Sequence, residues 1–383
     1  MRIKDLISGK YFFPFFTSIT LLSCGNNDRT NMEGADNDSA ISFGNDTATK
    51  QQSGALKPTG SKPAWANNIT DPMLVVIEKL KSFNAPPLTT LSAQEARKQP
   101  SPADAVMAVI KDNNISVPAS NVDTSGKDIP VVGGKIHLRI YTPKTGKNIY
   151  PVIVYYHGGG WVIADLNTYH ASAEALCEQA QAIVVSVAYR QAPEYKFPTA
   201  HNDSYAAYEW VVKNASTING DSKKIALTGE SAGGNLAASV SMMARNKNIQ
   251  LPIHQILVYP IAGYDFTTSS YKESDSTKPL NTGLMKWFFE KYLTNARQGK
   301  SPMIALVNAD LKNMPPTTII AAEYDPLRSE GEMLAANLKK AGVITSYKIY
   351  NGVTHEFFGM GAVIPEAKQA QAYVVSELQN AFK

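Results

Sequence analysis

Apolar and polar positions divide the chain into an irregular beginning and a long remainder with regular elements. Apolar residues between positions 73 and 80 recur at helical spacing after Thr70 or Asp71, either of which can cap a helix. A second helix is predicted over residues 103–110, with Ser101 as its cap. These helices mark the start of the folded region, near residue 71.

Beyond these helices the hydrophobic period changes to that of strands. Residues 136–141 alternate like a half-buried strand, whereas residues 152–156 are continuously apolar and predict a central strand. Further strands are predicted at 183–187, 224–227, 255–259, 317–321 and 347–350, with helical patterns at 203–212, 235–244 and 330–341. This alternation predicts an α/β fold with a mostly parallel central sheet and helices on both faces.

The first seventy residues lack such patterns. Arg2, Lys4 and Lys10 precede an apolar run over residues 11–22, which is shorter than the roughly 20 residues of a membrane-spanning helix. A basic start and a short apolar core predict a secretory signal peptide. Residues 24–70 are polar and low in apolar content, which predicts a flexible tether.

The segment Leu-Leu-Ser-Cys-Gly at residues 21–25 resembles a bacterial lipobox. This resemblance implies a signal peptide over 1–23, a lipidated Cys24, and an exported lipoprotein held at a membrane of the bacterial cell envelope. The alternative is an ordinary cleaved signal peptide whose cysteine is incidental.

The composition of the chain limits the classes of function that it can have. The 383 residues include 37 basic and 33 acidic side chains, and a net charge of +4 gives little reason to expect nucleic-acid binding. Only two cysteines are present, Cys24 and Cys177, so no disulfide framework is expected. With the leader and tether set aside, residues 71–383 are predicted to form one domain.

A G-x-S-x-G motif lies between a predicted strand and a predicted helix. Gly229, Ser231 and Gly233 follow the strand at 224–227 and precede the helix at 235–244. In this context the motif is a nucleophile elbow, which presents the serine at a helix N-terminus, where developing negative charge is stabilised. Ser231 is therefore the candidate nucleophile.

A glycine-rich loop follows the central strand at 152–156. Its sequence, His-Gly-Gly-Gly-Trp over residues 157–161, allows backbone N–H groups to face a cleft, as an oxyanion hole requires. The expected donors are the N–H groups of Gly158, Gly159 and Ala232. His157 is expected to hold the loop rather than to act as a base.

A nucleophile elbow is accompanied by an acid and then a histidine later in the chain. Of the six histidines only His254 and His355 follow the serine, and His254 opens a strand, away from the strand ends where the cleft forms. Asp325 follows the strand at 317–321, and its competitor Glu323 lies two residues nearer that strand. The expected triad is Ser231, Asp325 and His355.

The chain resembles the hormone-sensitive-lipase-like branch of the α/β-hydrolases, which includes bacterial esterases and arylacetamide deacetylases. The likeness runs from about residue 71 to the C-terminus and rests on the loop at 157–161, the runs at 189–194 and 197–198, the GESAGGN elbow at 229–235, the DPLR segment at 325–328 and the loop of His355. Two positions depart from the family pattern: Glu230 replaces Asp or Thr, and Glu356 replaces the common Gly. The resemblance also implies a helical cap over the cleft, formed by residues 71 to about 115.

These observations predict a serine carboxylesterase that acts on short- or medium-chain acyl esters, a small-molecule substrate, with no cofactor. An amidase or deacetylase with the same triad is the competing enzyme class, and a non-catalytic binding protein on a hydrolase fold is the other alternative. His355-Glu356 begins an H-E-x-x-H zinc motif, but Gly359 occupies the second histidine position, so no metal site is expected. Cys177 lies in an apolar helical pattern and is expected to be a core thiol.

Overall fold

The computed structural model describes residues 56–383 of the chain. Within this part, eight strands form one sheet: β1 (Val122–Val131), β2 (Gly134–Pro143), β3 (Tyr150–Tyr156), β4 (Ile183–Ala188), β5 (Gly220–Glu230), β6 (Gln255–Val258), β7 (Thr317–Tyr324) and β8 (Thr345–Thr354). Their order is β1-β2-β4-β3-β5-β6-β7-β8. The β1–β2 and β2–β4 pairs are antiparallel, and all other neighbours are parallel, which confirms the predicted α/β class.

Helices cover both faces of this sheet. In the same part of the chain they are α1 (Asp71–Ser82), α2 (Ala93–Ala96), α3 (Pro102–Asp112), α4 (His170–Ala180), α5 (Thr199–Asn214), α6 (Ala232–Asn246), α7 (Ser269–Glu273), α8 (Thr282–Tyr292), α9 (Arg328–Lys340) and α10 (Pro365–Ala381). Hydrophobic residues of α5, α6, α8 and α9 pack on one face, and those of α1, α3, α4 and α10 on the other. Across residues 56–383, no helix has the length and apolar character needed to cross a bilayer.

The burial of β3 on both faces of the sheet explains why its sequence predicts a central strand. Val152 and Val154 point into the core on one face of the sheet, whereas Ile153 and Tyr155 point into the core on the other. Because successive side chains in a strand alternate between faces, a strand covered on both sides needs a continuous apolar run.

The predicted elements are all present, but several others were missed. Strand β1 is polar along most of its length because it pairs only with β2 at the sheet edge, where its side chains remain exposed. Helices α8 and α10 were not predicted either. The predicted cap of α3 is correct: Ser101 and Asp104 form a reciprocal capping box.

The expected tether boundary at residue 70 is wrong. Ala66 and Ile69 are fully buried, and Trp65 packs edge-on against Tyr324 with 6.2 Å between ring centroids. The backbone N–H of Thr70 donates to a carbonyl in β8, so residues 56–70 belong to the domain. Few apolar side chains anchor this segment, which is why its composition resembles that of a tether. The predicted signal peptide, Cys24 and tether residues 24–55 lie outside the described residues.

The order of the strands leaves a crevice at one end of the sheet. The chain passes from β3 to β4 on one side and then returns to β5 on the other, so the loops after β3 and β5 separate. In open α/β sheets, ligands bind at such a switch point, beyond the carboxyl ends of the strands. The glycine-rich loop and the serine motif both start there.

Candidate active site

Ser231 occupies a sharp turn between β5 and α6. Its backbone has φ 56° and ψ −118°, a conformation that residues with a side chain seldom adopt. The turn is held from both sides, since the Ser231 N–H donates to the carbonyl of Val258 and its carbonyl accepts from the N–H groups of Asn235 and Ile261. Backbone strain held by surrounding structure is typical of functional positions.

Two glycines allow this turn to close. A Cβ at Gly229 would lie 2.1 Å from the carbonyl oxygen of Gly233, and a Cβ at Gly233 would lie 1.9 Å from the carbonyl oxygen of Tyr156. Neither position has room for a side chain. The motif therefore brings the start of α6 into direct contact with the end of β3.

The three residues predicted as a triad lie together in one hydrogen-bonded chain. The Ser231 Oγ is 2.9 Å from Nε2 of His355, and Nδ1 of His355 is 2.7 Å from Oδ2 of Asp325. All three side chains are almost completely buried. The other oxygen of Asp325 accepts from the N–H of Leu327, which helps to hold the carboxylate in place.

The surroundings of His355 alter its basicity. Burial lowers the pKa of the imidazole, but the charge and hydrogen bond of Asp325, with smaller contributions from Glu356 and Glu230, more than offset this effect, so the pKa is raised above its ordinary value of 6.5. A hydrogen bond from Nδ1 to Asp325 leaves Nε2 free to accept the serine proton.

The glycine-rich loop lies beside Ser231. Gly159 has φ 91°, and Gly159 and Gly160 line the same cavity as Ser231 and His355. Among residues 56–383, the N–H groups of Gly158 and Gly159 donate no hydrogen bond, which agrees with the role expected of them. Ala232, the third predicted donor, is the first residue of α6.

His157 holds this loop and takes no part in the triad. Its ring stacks on Tyr189 with 4.3 Å between centroids, and the Tyr189 hydroxyl donates to the carbonyls of His157 and Gly158. Burial lowers the pKa of His157 to about 4, so the ring is neutral.

The catalytic pocket is a cavity of about 200 Å³ above Ser231. Residues 88–104, which lie within the predicted cap, provide one wall, and Leu280, Leu284 and Phe288 provide another. The cap segment is tied down by Arg97, whose guanidinium donates to both carboxylate oxygens of Glu194 and to two backbone carbonyls. The run at 189–194 therefore supports the wall of the pocket.

Glu230 lies directly beneath the nucleophile, where it is 1% exposed. The hydroxyls of Tyr155 and Tyr259 each donate to one of its oxygens. Burial, together with the nearby charge of Glu356, raises the pKa of Glu230 to about 7. The ring of Tyr259 also packs against His355, with 4.4 Å between centroids.

Glu356 brings a further carboxyl group to the pocket wall. Its Oε1 accepts a 2.6 Å hydrogen bond from the Tyr169 hydroxyl and lies 3.9 Å from Nε2 of His355. Burial raises the pKa of Glu356, although the neighbouring His355 acts in the opposite direction. From the sequence, Glu356 stands out as a departure from a family pattern and as part of an incomplete H-E-x-x-H motif, but not as a residue of the pocket wall.

The rejected candidates lie away from the triad. The Nε2 of His254 is hydrogen-bonded to Thr318, and Glu323 accepts from the N–H of Gly352. Cys177 is buried, and burial raises the pKa of its thiol to about 12. Within residues 56–383, no group of three or more histidine, cysteine or acidic side chains could hold a metal ion.

Tyr155, Tyr169, Tyr259 and Glu356 were not predicted to surround the site. Tyr155 and Tyr259 stand at the carboxyl ends of predicted strands, which places them at the crevice edge; that position was the available signal. No comparable signal marks Tyr169, because the loop before α4 carries no pattern.

Comparisons with known proteins agree with this geometry. A sequence model described as the α/β-hydrolase fold matches residues 153–359. The carboxylesterase NlhH of Mycobacterium tuberculosis is 36% identical over 251 residues, which cover 64% of this chain and 79% of the relative. The ethyl acetate hydrolase of Pseudomonas putida is 30% identical over 298 residues, which cover 77% of this chain and 92% of the relative.

The fold is also shared with esterases of known structure. A thermostable esterase from Pseudomonas putida superposes with a TM-score of 0.75 at 32% identity, covering 82% of this chain and 98% of that one. A hyperthermophilic esterase from Pyrobaculum calidifontis gives a TM-score of 0.71 at 34% identity, covering 80% of this chain and 98% of that one. The chain therefore belongs to the α/β-hydrolase family, in its hormone-sensitive-lipase-like branch, and is a carboxylesterase-type serine hydrolase.

Proposed function

We propose that the protein hydrolyses esters of short- or medium-chain acids by way of an acyl-enzyme on Ser231. The observation that carries this proposal is the continuous hydrogen-bonded chain from Asp325 through His355 to Ser231 at the floor of a cavity. The cavity volume supports small substrates, since pockets for drug-sized ligands are typically about 300–1,000 Å³.

The reaction begins when Ser231 Oγ attacks the ester carbonyl carbon while its proton passes to Nε2 of His355. Asp325 orients the imidazole and stabilises its positive charge. The N–H groups of Gly158, Gly159 and Ala232 bind the oxyanion, and each such donor is typically worth about 3–4 kcal/mol of barrier.

Collapse of the tetrahedral intermediate breaks the bond to the alcohol oxygen, which takes the proton from Nε2. Water then attacks the acyl carbon and gives a proton to the same nitrogen. That proton passes to Ser231 Oγ as the acyl–oxygen bond breaks, which releases the acid and restores the enzyme.

A Ser231→Ala variant tests the nucleophile. We expect hydrolysis of p-nitrophenyl acetate to be lost, and labelling by a serine-directed phosphonate to disappear, while the circular dichroism spectrum is kept. Burst kinetics that persist in the folded variant would contradict the assignment of Ser231.

A series of p-nitrophenyl esters of increasing acyl length, run beside p-nitroacetanilide, tests the substrate class. We expect kcat/KM to be highest for short or medium chains and the anilide to react much more slowly. Anilide hydrolysis at a comparable rate would favour the amidase alternative.

We also propose that the chain is exported and anchored to a membrane through Cys24. The basic residues Arg2, Lys4 and Lys10, the short apolar run at 11–22 and the lipobox-like segment at 21–25 support this proposal. Growth with labelled palmitate should label the wild type but not a Cys24→Ser variant. Absence of label in the wild type would favour an ordinary cleaved signal peptide.

A further inference from the structure

The charged side chains around the catalytic pocket differ in whether a group of opposite charge lies beside them. Arg97 lies in the pocket wall, and its guanidinium is already paired with both oxygens of Glu194. Asp104 uses one oxygen to cap α3. Within residues 56–383, His355 is the one ion-pair partner of Glu356, at 3.9 Å. In its ionised form, and while the imidazole is neutral, Glu356 therefore has no cationic partner in the described part of the chain.

Glu356 lies close to the nitrogen that protonates the departing alcohol. In the proposed reaction, Nε2 of His355 takes the proton of Ser231 and gives it to the departing alcohol oxygen. Because Oε1 of Glu356 is 3.9 Å from that nitrogen, groups attached to the alcohol pass close to the carboxylate.

Aromatic rings border the same space. Tyr169 and Phe288 both line the pocket, and the Tyr169 hydroxyl donates to Glu356, which places the hydroxyl end of its ring beside the carboxylate. Alkylammonium groups bind to aromatic faces by cation–π attraction, and quaternary ammonium ligands are commonly recognised by aromatic rings. A carboxylate alone would suit any hydrogen-bond donor, whereas rings and a carboxylate together suit an alkylammonium cation.

We propose that the pocket selects esters whose alcohol part carries an alkylammonium group, and that Glu356 is the residue that determines this preference. The proposal rests on ester hydrolysis at Ser231 as proposed above. It adds a substrate class, the esters of amino alcohols.

Two esters of the same shape measure the preference. Acetylcholine and 3,3-dimethylbutyl acetate differ in replacing a quaternary nitrogen by carbon, so their kcat/KM ratio isolates the effect of charge. We expect a ratio of about ten or more for the wild type, since tenfold is the effect of about 1.4 kcal/mol. In Glu356→Gln the ratio should fall to near one.

A second variant protects the test against misfolding. Glu356 has φ 71°, a conformation that glycine adopts without strain, so Glu356→Gly removes the carboxylate without straining the backbone. Glu209→Gln is the matched control, because it removes one negative charge from a surface pair with Lys213. The control should keep the wild-type ratio.

The outcomes separate the two proposals. A wild-type ratio of one or less, or an unchanged ratio in both Glu356 variants, would overturn the preference even though the neutral ester is hydrolysed. If neither ester is hydrolysed and phosphonate fails to label Ser231, the proposed function itself is wrong.

Discussion

The contact between Gly233 and the end of β3 allows a sharp test of how the site is built. A Cβ at residue 233 would lie 1.9 Å from the carbonyl oxygen of Tyr156 and 2.6 Å from that of His157. Both obstacles are backbone atoms, and neither can be relieved by a rotamer change. In Gly233→Ala, α6 and β3 must therefore move apart by about 1 Å or more.

The expected cost follows from this overlap. Overpacking a tight interior costs about 1–3 kcal/mol, and backbone obstacles place this case at the upper end. The intrinsic helix preference of alanine returns at most about 1 kcal/mol. A net loss of about 2 kcal/mol is expected. Because the movement separates Ser231 from the glycine-rich loop, the loss of kcat should be greater, on the order of a hundredfold.

A second helical glycine provides the control, because its replacement by alanine should raise stability rather than lower it. Gly331 lies in α9, and a Cβ there would meet only Cγ2 of Ile319, at 4.0 Å, an ordinary contact distance. Gly331→Ala should therefore stabilise the fold by up to about 1 kcal/mol through helix preference, and leave kcat unchanged.

Urea unfolding followed by circular dichroism measures both free energies, and hydrolysis of p-nitrophenyl acetate measures kcat. The reasoning is refuted if Gly233→Ala is as stable as the wild type, or if the two substitutions change stability in the same direction. Full activity in a destabilised Gly233→Ala would show that the contact does not position Ser231.

Three further predictions concern the site and its support. Asp325→Asn should lower kcat by about 10⁴ with the fold kept, because the imidazole loses the carboxylate that sets its tautomer; steady-state kinetics check this. The pKa of Glu230 is about 7 in the fold against an ordinary 4.5, so folding favours the neutral acid. The contribution of Glu230 to the stability of the fold is therefore present at low pH and is lost as pH rises from about 4.5 to 7. The Tm of Glu230→Gln relative to wild type should accordingly increase between pH 5 and pH 8; a constant difference would contradict it. A chain starting at residue 71 should have a lower Tm than one starting at residue 56, by several degrees, because the buried Ala66 and Ile69 are lost. Equal Tm values would mean that residues 56–70 add no stability.

The central part of the fold could be predicted because its signals are local and strong. The strand at 152–156 is continuously apolar since both of its faces are buried, and the serine motif must fit a turn that tolerates glycine alone at two positions. Such constraints act on neighbouring residues and remain visible in the sequence.

The missed features depend on distant partners. Strand β1 forms because β2 offers a free edge, and its own residues carry no apolar alternation. The packing of Trp65 on Tyr324 and the pairing of Glu356 with Tyr169 join residues far apart in the chain. Only the three-dimensional structure brings these groups together.

The attachment of residues 56–70 to β7 and β8 has a consequence for how the enzyme acquires its activity. The segment binds Tyr324, which precedes Asp325, and Gly352, which lies three residues before His355. Residues 68 and 324, which are 256 positions apart, must therefore meet before the acid and the base are supported from this side, and contacts of such long sequence separation form slowly. During synthesis, residues 56–70 are made long before their partners in β7 and β8. We therefore expect full hydrolysis only from the finished fold, and its recovery during refolding to report on the docking of residues 56–70 against β7 and β8.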